Sequence, residues 1–310
     1  VSPVVLINDG LPDPLFRAMQ RQQRPFNPDA FAITVTELLA PPRQRQLLRQ
    51  AELDGTEIRV PTSRLVAAFL GTCVHKGLEP ADEDLTRGEE RLHAEILVPL
   101  GLPLLSRRWK VSGQPDLIDE HGIIHDYKLT KAFALKDGWV GMGTIEDGDD
   151  GWDDREVGWC GKVEWIQQLN AYAELARRNG ITVQGLRLTA FIKDFRPKGY
   201  GKFKSTTEEM PWVTAETCTF HVPLWTSEQA TAWLHERLAA HEAAMSDLPR
   251  CTDEERWVNE RTGQPNRCEG WCSAFAVCSQ AQSGRSVARD SAVYARRDAM
   301  LANDKPLWED

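Results

Sequence analysis

The sequence predicts an α/β protein with a cysteine-rich, metal-binding segment near its C-terminus. Residues 107 to 129 hold three strand-like runs, and the last two, "DLID" and "IIHDYKL", are joined only by "EHG". Segments with helical spacing and capping signals lie on either side, at 62–80 and 162–180. Beyond residue 250 strand patterns give out, and four of the seven cysteines fall between Cys251 and Cys278. With 310 residues, 41% hydrophobic content and 11 Trp, the chain can bury a large core, as one domain or one domain with a small appendage.

The elements follow in order. Residues 1–30, rich in Pro, Asn and Asp, are expected to form an N-terminal arm or loop. "TVTELLA" and "PPRQRQLLRQ" predict short helices split by a proline pair. In "PTSRLVAAFLGTCVHKGLE", Thr62 and Ser63 give a helix-start signal and Leu65, Phe69 and Val74 keep near-helical spacing, which puts His75 late on a helix. A charged helix is expected over "DLTRGEERLHAEIL". Strands follow near 107–112, at "DLID" and at "IIHDYKL". A three-residue hairpin loop wants a left-handed residue in third place, and Gly122 stands there.

Residues 136–161, Gly-rich and acidic with no sustained period, read as a long loop, and their carboxylates do not match an EF-hand. "KVEWIQQLNAYAELARRNG" predicts a helix closed by Asn179-Gly180, followed by the strand "VQGLRLTAFIKDF" and the basic "RPKGYGKFKS". Thr226-x-x-Gln229 opens another helix. A charged terminal helix and tail is expected over 283–310.

The net charge of −9 argues against coating of nucleic acid by the whole surface and leaves room for a local basic groove. No signal peptide opens the sequence, and its longest apolar stretch, "ILVPLGLPLL", is broken by two prolines, so no membrane association and a cytoplasmic location are expected, in a bacterium or a virus-infected host cell. In that setting an odd number of cysteines points to thiols or metal ligands rather than a disulfide framework.

The hairpin poses an electrostatic problem. With Glu120, His121 and Gly122 as its loop, Asp119 faces Ile123 and Asp116 faces Asp126. Opposed residues have Cβ atoms about 4.5–5.5 Å apart, and like charges there repel. Lys128 shares a face with Asp126 because strand side chains alternate. Such a pairing is stable as a structural ion pair or around a divalent cation; Mg²⁺ and Mn²⁺ favour oxygen donors.

A D-x-K triplet alone carries little, but "GQPDLID", a tight turn and "GIIHDYKLT" together resemble the PD-(D/E)XK nuclease signature, with Pro115-Asp116 and Asp126-Tyr127-Lys128 as its halves. Upstream, "GTCVHKGLE" resembles the Gly-x-x-x-His helix of RecB-type nucleases at Gly71 and His75. Downstream, Gln168 and Tyr172 match their Q-x-x-x-Y motif, on one helix face at i and i+4. The likeness spans about Val35 to Gln280.

It implies a restriction-endonuclease-like core, a central mixed sheet flanked by helices, as a nuclease domain over 31–250. The implied activity is a divalent-metal-dependent DNA exonuclease of recombination or end processing that leaves 5′-phosphates. His75, Asp116, Asp126 and the Tyr127 backbone carbonyl would hold Mg²⁺ or Mn²⁺; Asp116, Asp126, Lys128, Gln168 and Tyr172 would form the catalytic set. DNA, single-stranded or at ends, is the implied partner, with a recombination or helicase protein as a further one. The basic, aromatic run around Lys193, Arg196, Lys198, Lys202 and Lys204 reads equally as a DNA contact or a solvated hairpin.

Cys251, Cys268, Cys272 and Cys278 follow C-x16-C-x3-C-x5-C, a set that suits Zn²⁺ or an iron-sulfur cluster. CRISPR-associated exonucleases and related RecB-type enzymes close their nuclease domain with three similarly spaced cysteines around a 4Fe4S cluster, and this chain resembles them there. It departs from them in the fourth ligand, which they draw from before the core; Cys251 stands in for it, since the earlier Cys73 lies on the His75 helix. The expected unit is 251–282, packed on the nuclease domain, with 4Fe4S as cofactor and Zn²⁺ as the alternative. Two other functions stay open: a non-catalytic DNA-binding subunit with a nuclease-like fold, and a zinc-stapled interaction protein.

Overall fold

The computed structural model describes residues 3–23, 27–78, 87–88, 91–99, 106–147, 151–199 and 204–283. The first elements are β1 (Val4–Ile7), α1 (Asp13–Arg21), β2 (Ala32–Thr34), α2 (Val35–Leu39), α3 (Pro42–Leu53) and β3 (Ile58–Pro61). The expected N-terminal arm is therefore structured: β1 runs parallel to β3, and Leu6, Met19, Ala51, Ile58 and Val60 close a small core beneath them. "VVLI" is a four-residue apolar run whose partner lies about fifty residues on, so no local period announces it. The proline pair does split α2 from α3: Thr34 and Glu37 form a capping box at the start of α2, and Pro41 and Pro42 restart the chain as α3.

Next come α4 (Val66–Gly77), β4 (Arg87–Gly88), β5 (Leu92–Pro99) and β6 (Ser106–Gly113). The charged helix expected over 84–97 is, in its described part, strand instead. Leu92, Ile96 and Val98 are buried while His93, Glu95 and Leu97 are exposed, a two-residue alternation masked in the sequence by its flanking charges. β6 lies between antiparallel β5 and parallel β2 in a three-stranded sheet.

The second sheet gathers β7 (Leu117–Ile118), β8 (Ile123–Thr130), β9 (Trp139–Asp147), β10 (Gly151–Trp159), β11 (Gly185–Ile192) and β12 (Thr217–His221) with β4. Its order is β4-β7-β8-β11-β12-β10-β9, with β8 and β11 parallel. The long loop expected over 136–161 is thus replaced by the β9–β10 hairpin, paired from Trp139↔Trp159 to Asp147↔Gly151. Backbone bonds along the ladder and the stacked Trp139 and Trp159 rings, 6.3 Å apart, hold it. Glycines and acids with few β-branched residues hid it from propensity.

Between the sheets runs α5 (Val163–Arg178), in which every residue from Leu169 to Ala176 is buried. It ends as predicted at Asn179, with Gly180 at φ +78°. α6 (Thr206–Glu209) is short; α7 (Ser227–Ser246) starts at the predicted Thr226–Gln229 capping box and packs on α3 and α5. α8 (Asp253–Arg256), α9 (Asn266–Gly270) and α10 (Ser279–Ser283) complete the described chain, and the expected terminal helix lies outside it except at its first residue. Among the described residues no helix is long and apolar enough to cross a membrane.

One core residue makes stability pH-dependent. His241 on α7 is fully buried; burial first, then the charges of Arg237 and Arg45, push its pKa down to about 3. The fold holds it neutral, whereas the unfolded chain protonates near pH 6.5. Its contribution is therefore complete above pH 6.5 and is lost as pH falls from there toward 3, by about 1.4 kcal/mol per unit. Urea melts should show about 2 kcal/mol lost between pH 6.5 and 5, and His241→Leu should flatten that slope.

Candidate active site and cysteine cluster

The β7–β8 turn has the predicted geometry. Gly122 sits at φ +77°, and a Cβ there would come within 2.4 Å of the Thr182 carbonyl oxygen, so only glycine fits. Asp119 braces the turn: its Oδ1 accepts from the His121 and Ile123 amides at 3.1 and 2.8 Å, and its Oδ2 pairs with His125 Nε2 at 2.9 Å. Leu117 lies opposite His125 and Ile118 opposite Ile124. Continued one step beyond its last pair, this register sets Asp116 against Asp126, and the two are close enough for Asp116 to raise the Asp126 pKa.

Both carboxylates are held. Asp116 Oδ2 accepts from the Tyr127 amide at 2.7 Å, and its Oδ1 lies 2.8 Å from His75 Nδ1, which α4 delivers from its last turn. The hydrogen bond to Asp116 raises the His75 pKa, against the opposing effect of burial. Asp126 is 2% exposed. Its Oδ2 lies 2.6 Å from Lys128 Nζ, a buried ion pair. Burial pushes the Asp126 carboxyl above its usual range; Lys128 offsets part of that, and Asp116 adds to it. Burial alone would favour neutral Lys128, but Asp126, Tyr172 and Asp116 outweigh it and keep the ammonium charged.

α5 supplies the remaining pair. Gln168 Nε2 donates to the Tyr172 hydroxyl at 3.0 Å, and Tyr172, 5% exposed, lies within electrostatic reach of both Asp126 and Lys128. His75 from α4, Asp116 from the bend before β7, Asp126, Tyr127 and Lys128 from β8, and Gln168 and Tyr172 from α5 therefore meet in one place. As they stand, His75 is engaged with Asp116 and Lys128 with Asp126; among the described residues no three His, Cys, Asp or Glu side chains are already disposed to hold a metal ion.

The four C-terminal cysteines also converge. Cys251, Cys268, Cys272 and Cys278 line one cavity of about 20 Å³ together with Arg43 and Arg267. Burial, then Glu255 and the three neighbouring thiols, push Cys251 up to about 12; burial pushes Cys272 up to about 11. Arg43 on α3, only 8% exposed, donates through Nε to Cys278 Sγ at 3.3 Å and through Nη1 to the Pro249 carbonyl at 3.1 Å. Gln280 clasps the Cys251 backbone through bonds of 2.8 and 2.9 Å. Cys73 is exposed on α4 and takes no part in this cavity.

No protein-family model matches the chain, and no curated protein does. Among solved crystal structures, that of SSO0001 is similar over 86% of this chain and 94% of its own, at 18% identity and a TM-score of 0.46. Another, from Eubacterium rectale and named "Putative exonuclease", is similar over 87% and 79%, at 13% identity and a TM-score of 0.32. Similarity at this level assigns neither fold nor activity to this chain, whose reading rests on its own geometry.

Three residues of the site were missed in the sequence. Gly113, at the end of β6, lets Tyr172 approach: a Cβ there would lie 2.8 Å from the ring. Only the glycine just before Gln114-Pro115-Asp116 hinted at it. Cys160 is buried near Asp126 and Lys128, and burial raises its pKa to about 11. Lys162, at the start of α5, has its pKa lowered by burial, with the Lys128 charge adding to the effect. In the basic run, Arg196 pairs with Glu209 at 2.9 Å, whereas Tyr200, Lys202 and Phe203 lie outside the described residues.

Proposed function

We propose that this chain is a divalent-metal-dependent DNA exonuclease of the PD-(D/E)XK type, acting on single strands or ends in recombination or end processing and leaving 5′-phosphates. The observation that carries this reading is the opposition of Asp116 and Asp126 across the turn, with His75 on one carboxylate and Lys128 on the other. Two carboxylates close enough to repel, as the raised Asp126 pKa records, suit an oxygen-seeking dication. His75, Asp116, Asp126 and the Tyr127 carbonyl would hold Mg²⁺ or Mn²⁺. Bound there, the ion would lower the pKa of a water and offset charge building on the phosphate.

The chain's own groups complete the chemistry. Charged Lys128 sits where it can orient the attacking water and stabilise the anionic transition state. Tyr172, hydrogen-bonded by Gln168, lies within electrostatic reach of that lysine. The assignment divides the chain into a nuclease domain over 31–250 and a cysteine unit over 251–282. Four thiols around one cavity lined also by Arg43, Arg256 and Arg267, with Glu255, suit a dianionic tetrathiolate centre, 4Fe4S or Zn²⁺, that pins the C-terminal segment to α3.

The test is direct. Labelled single- and double-stranded DNA are incubated with the purified chain in Mg²⁺, Mn²⁺ or EDTA, and the products are resolved by length and terminal chemistry. Stepwise shortening to 5′-phosphorylated products, abolished by EDTA, is expected. DNA binding without metal-dependent cleavage would point instead to a non-catalytic subunit.

A further inference from the structure

Immediately past the candidate catalytic strand the chain exposes an aromatic ring among unpaired cations. β8 ends at Thr130 and passes through Lys131 into a 3-10 turn, Ala132–Leu135, on which Phe133 is 71% exposed. The turn is rigidly placed: the Ala132 amide donates to Asp194 Oδ1 at 2.6 Å, and Leu135 is buried. Lys136 Nζ stands 5.0 Å from the Phe133 ring centre. A cavity of about 510 Å³ opens beside the ring, lined also by Lys136, Asp194, Arg196 and Glu209.

The charges around it favour an anion. Asp194 is tied to the Ala132 amide and Glu209 to Arg196, whereas Lys131, Lys136 and Lys193 make no ion pair among the described residues. Lys193 belongs to the same end of the sheet, because its amide donates to the Thr130 carbonyl across the parallel β8–β11 pair. From Lys128 to Lys131 is three residues, about 10 Å at the usual strand rise. The turn also folds back on the active site: Ala134, Leu135 and Gly138 pack against Cys160 and Lys162, and Lys162 in turn feels the charge of Lys128.

We propose that Phe133 is a base-stacking platform for single-stranded DNA, with Lys131, Lys136 and Lys193 holding the phosphates beside it and Lys162 bridging to the cleft. The proposal names the substrate form of the nuclease site and so rests on that reading for its purpose, while the binding itself needs no catalysis. A flat ring suits any nucleobase face, and flanking cations track the backbone; a duplex, its bases already stacked on one another, gains only the second contribution. The distance from Lys128 corresponds to about three stacked nucleotides at a rise of about 3.4 Å each.

The experiment measures affinity of the full chain in EDTA for a 2-aminopurine-labelled single strand and for the matching duplex, by anisotropy and base fluorescence. Phe133→Ala should weaken single-strand binding by about 5- to 150-fold and abolish quenching at one position. Phe133→Trp should restore both, and duplex affinity should stay within about twofold. An abasic nucleotide at the quenched position should reproduce the alanine effect on the wild-type chain. Since Phe133 is exposed, the variants do not endanger folding. Unchanged single-strand affinity in Phe133→Ala overturns the proposal, as does a wild-type chain that prefers duplex. Metal-dependent cleavage together with an indifferent Phe133 sinks this inference alone, whereas Phe133-dependent binding without cleavage sinks the nuclease reading alone.

Discussion

Lys128→Ala should both unfold the site and silence it, and a second substitution should separate the two effects. The lysine is the nearest cation to a carboxylate that is 2% exposed, with Asp116 opposite. Removing one member of a buried pair leaves an uncompensated charge and costs about 3–5 kcal/mol. Protonation of Asp126, already favoured by burial, limits that loss at low pH. Replacing both partners with neutral groups of similar shape, as in Asp126→Asn with Lys128→Met, should recover most of the stability, because desolvation of both charges is then avoided. Cleavage should fall by about 10²–10³-fold or more in each variant and should not recover in the double one. Urea melts and single-turnover cleavage on Lys128→Ala and the double variant measure the two quantities independently. A double variant that cuts DNA, or a Lys128→Ala chain that cuts at the wild-type rate, would reduce the D-x-K triplet to a structural ion pair.

What the sequence revealed of this site was what local chemistry specifies. The turn could be numbered because Gly122 alone suits its left-handed position, and once the turn is numbered the facing of Asp116 and Asp126 follows from strand pairing. α5 and α7 were bounded by their caps, at Asn179-Gly180 and Thr226–Gln229. Elements whose partners are remote in sequence stayed hidden. β1 draws its ladder from β3, and the β9–β10 hairpin is built from glycine and acidic residues whose pairing comes from the backbone rather than from propensity. β5 was obscured because its exposed positions carry charges that also fit a helix surface.

The same distinction applies to single side chains. Gln168 and Tyr172 were found because i, i+4 spacing is a local relation, and they do hydrogen-bond. Gly113 under Tyr172, Cys160 near Lys128 and Arg43 on Cys278 are contacts between elements brought together only by packing, and no spacing in the chain encodes them. The choice of Cys251 over Cys73 as the fourth cysteine could rest only on Cys73 lying on the His75 helix. Cys73 and Cys251 are equivalent in composition, and only the fold puts one on an exposed helix face and the other in the shared cavity.

That placement makes the cysteine prediction sharp. The chain purified without oxygen is expected to carry either iron with acid-labile sulfide or one zinc, and Cys251→Ser, Cys268→Ser, Cys272→Ser and Cys278→Ser should each strip it, while Cys73→Ser should retain the full complement. The stability effect should be large, because Cys268, Cys278 and Ala281 share only a small apolar cluster with Leu47 and Phe275, too little to fix the segment unaided. Tetrathiolate binding contributes about 10–16 kcal/mol in small zinc domains; even a few kcal/mol of that lost here lowers Tm by roughly 10 °C in a chain of this size. Arg43→Ala should produce a smaller version of the same loss, since it removes a charged donor to Cys278 and exposes the Pro249 carbonyl. Metal analysis, visible absorption and thermal melts of the six variants decide the matter. Full metal in Cys251→Ser with loss in Cys73→Ser would move the fourth ligand to α4, and a wild-type chain without metal would leave the cysteines as packing thiols.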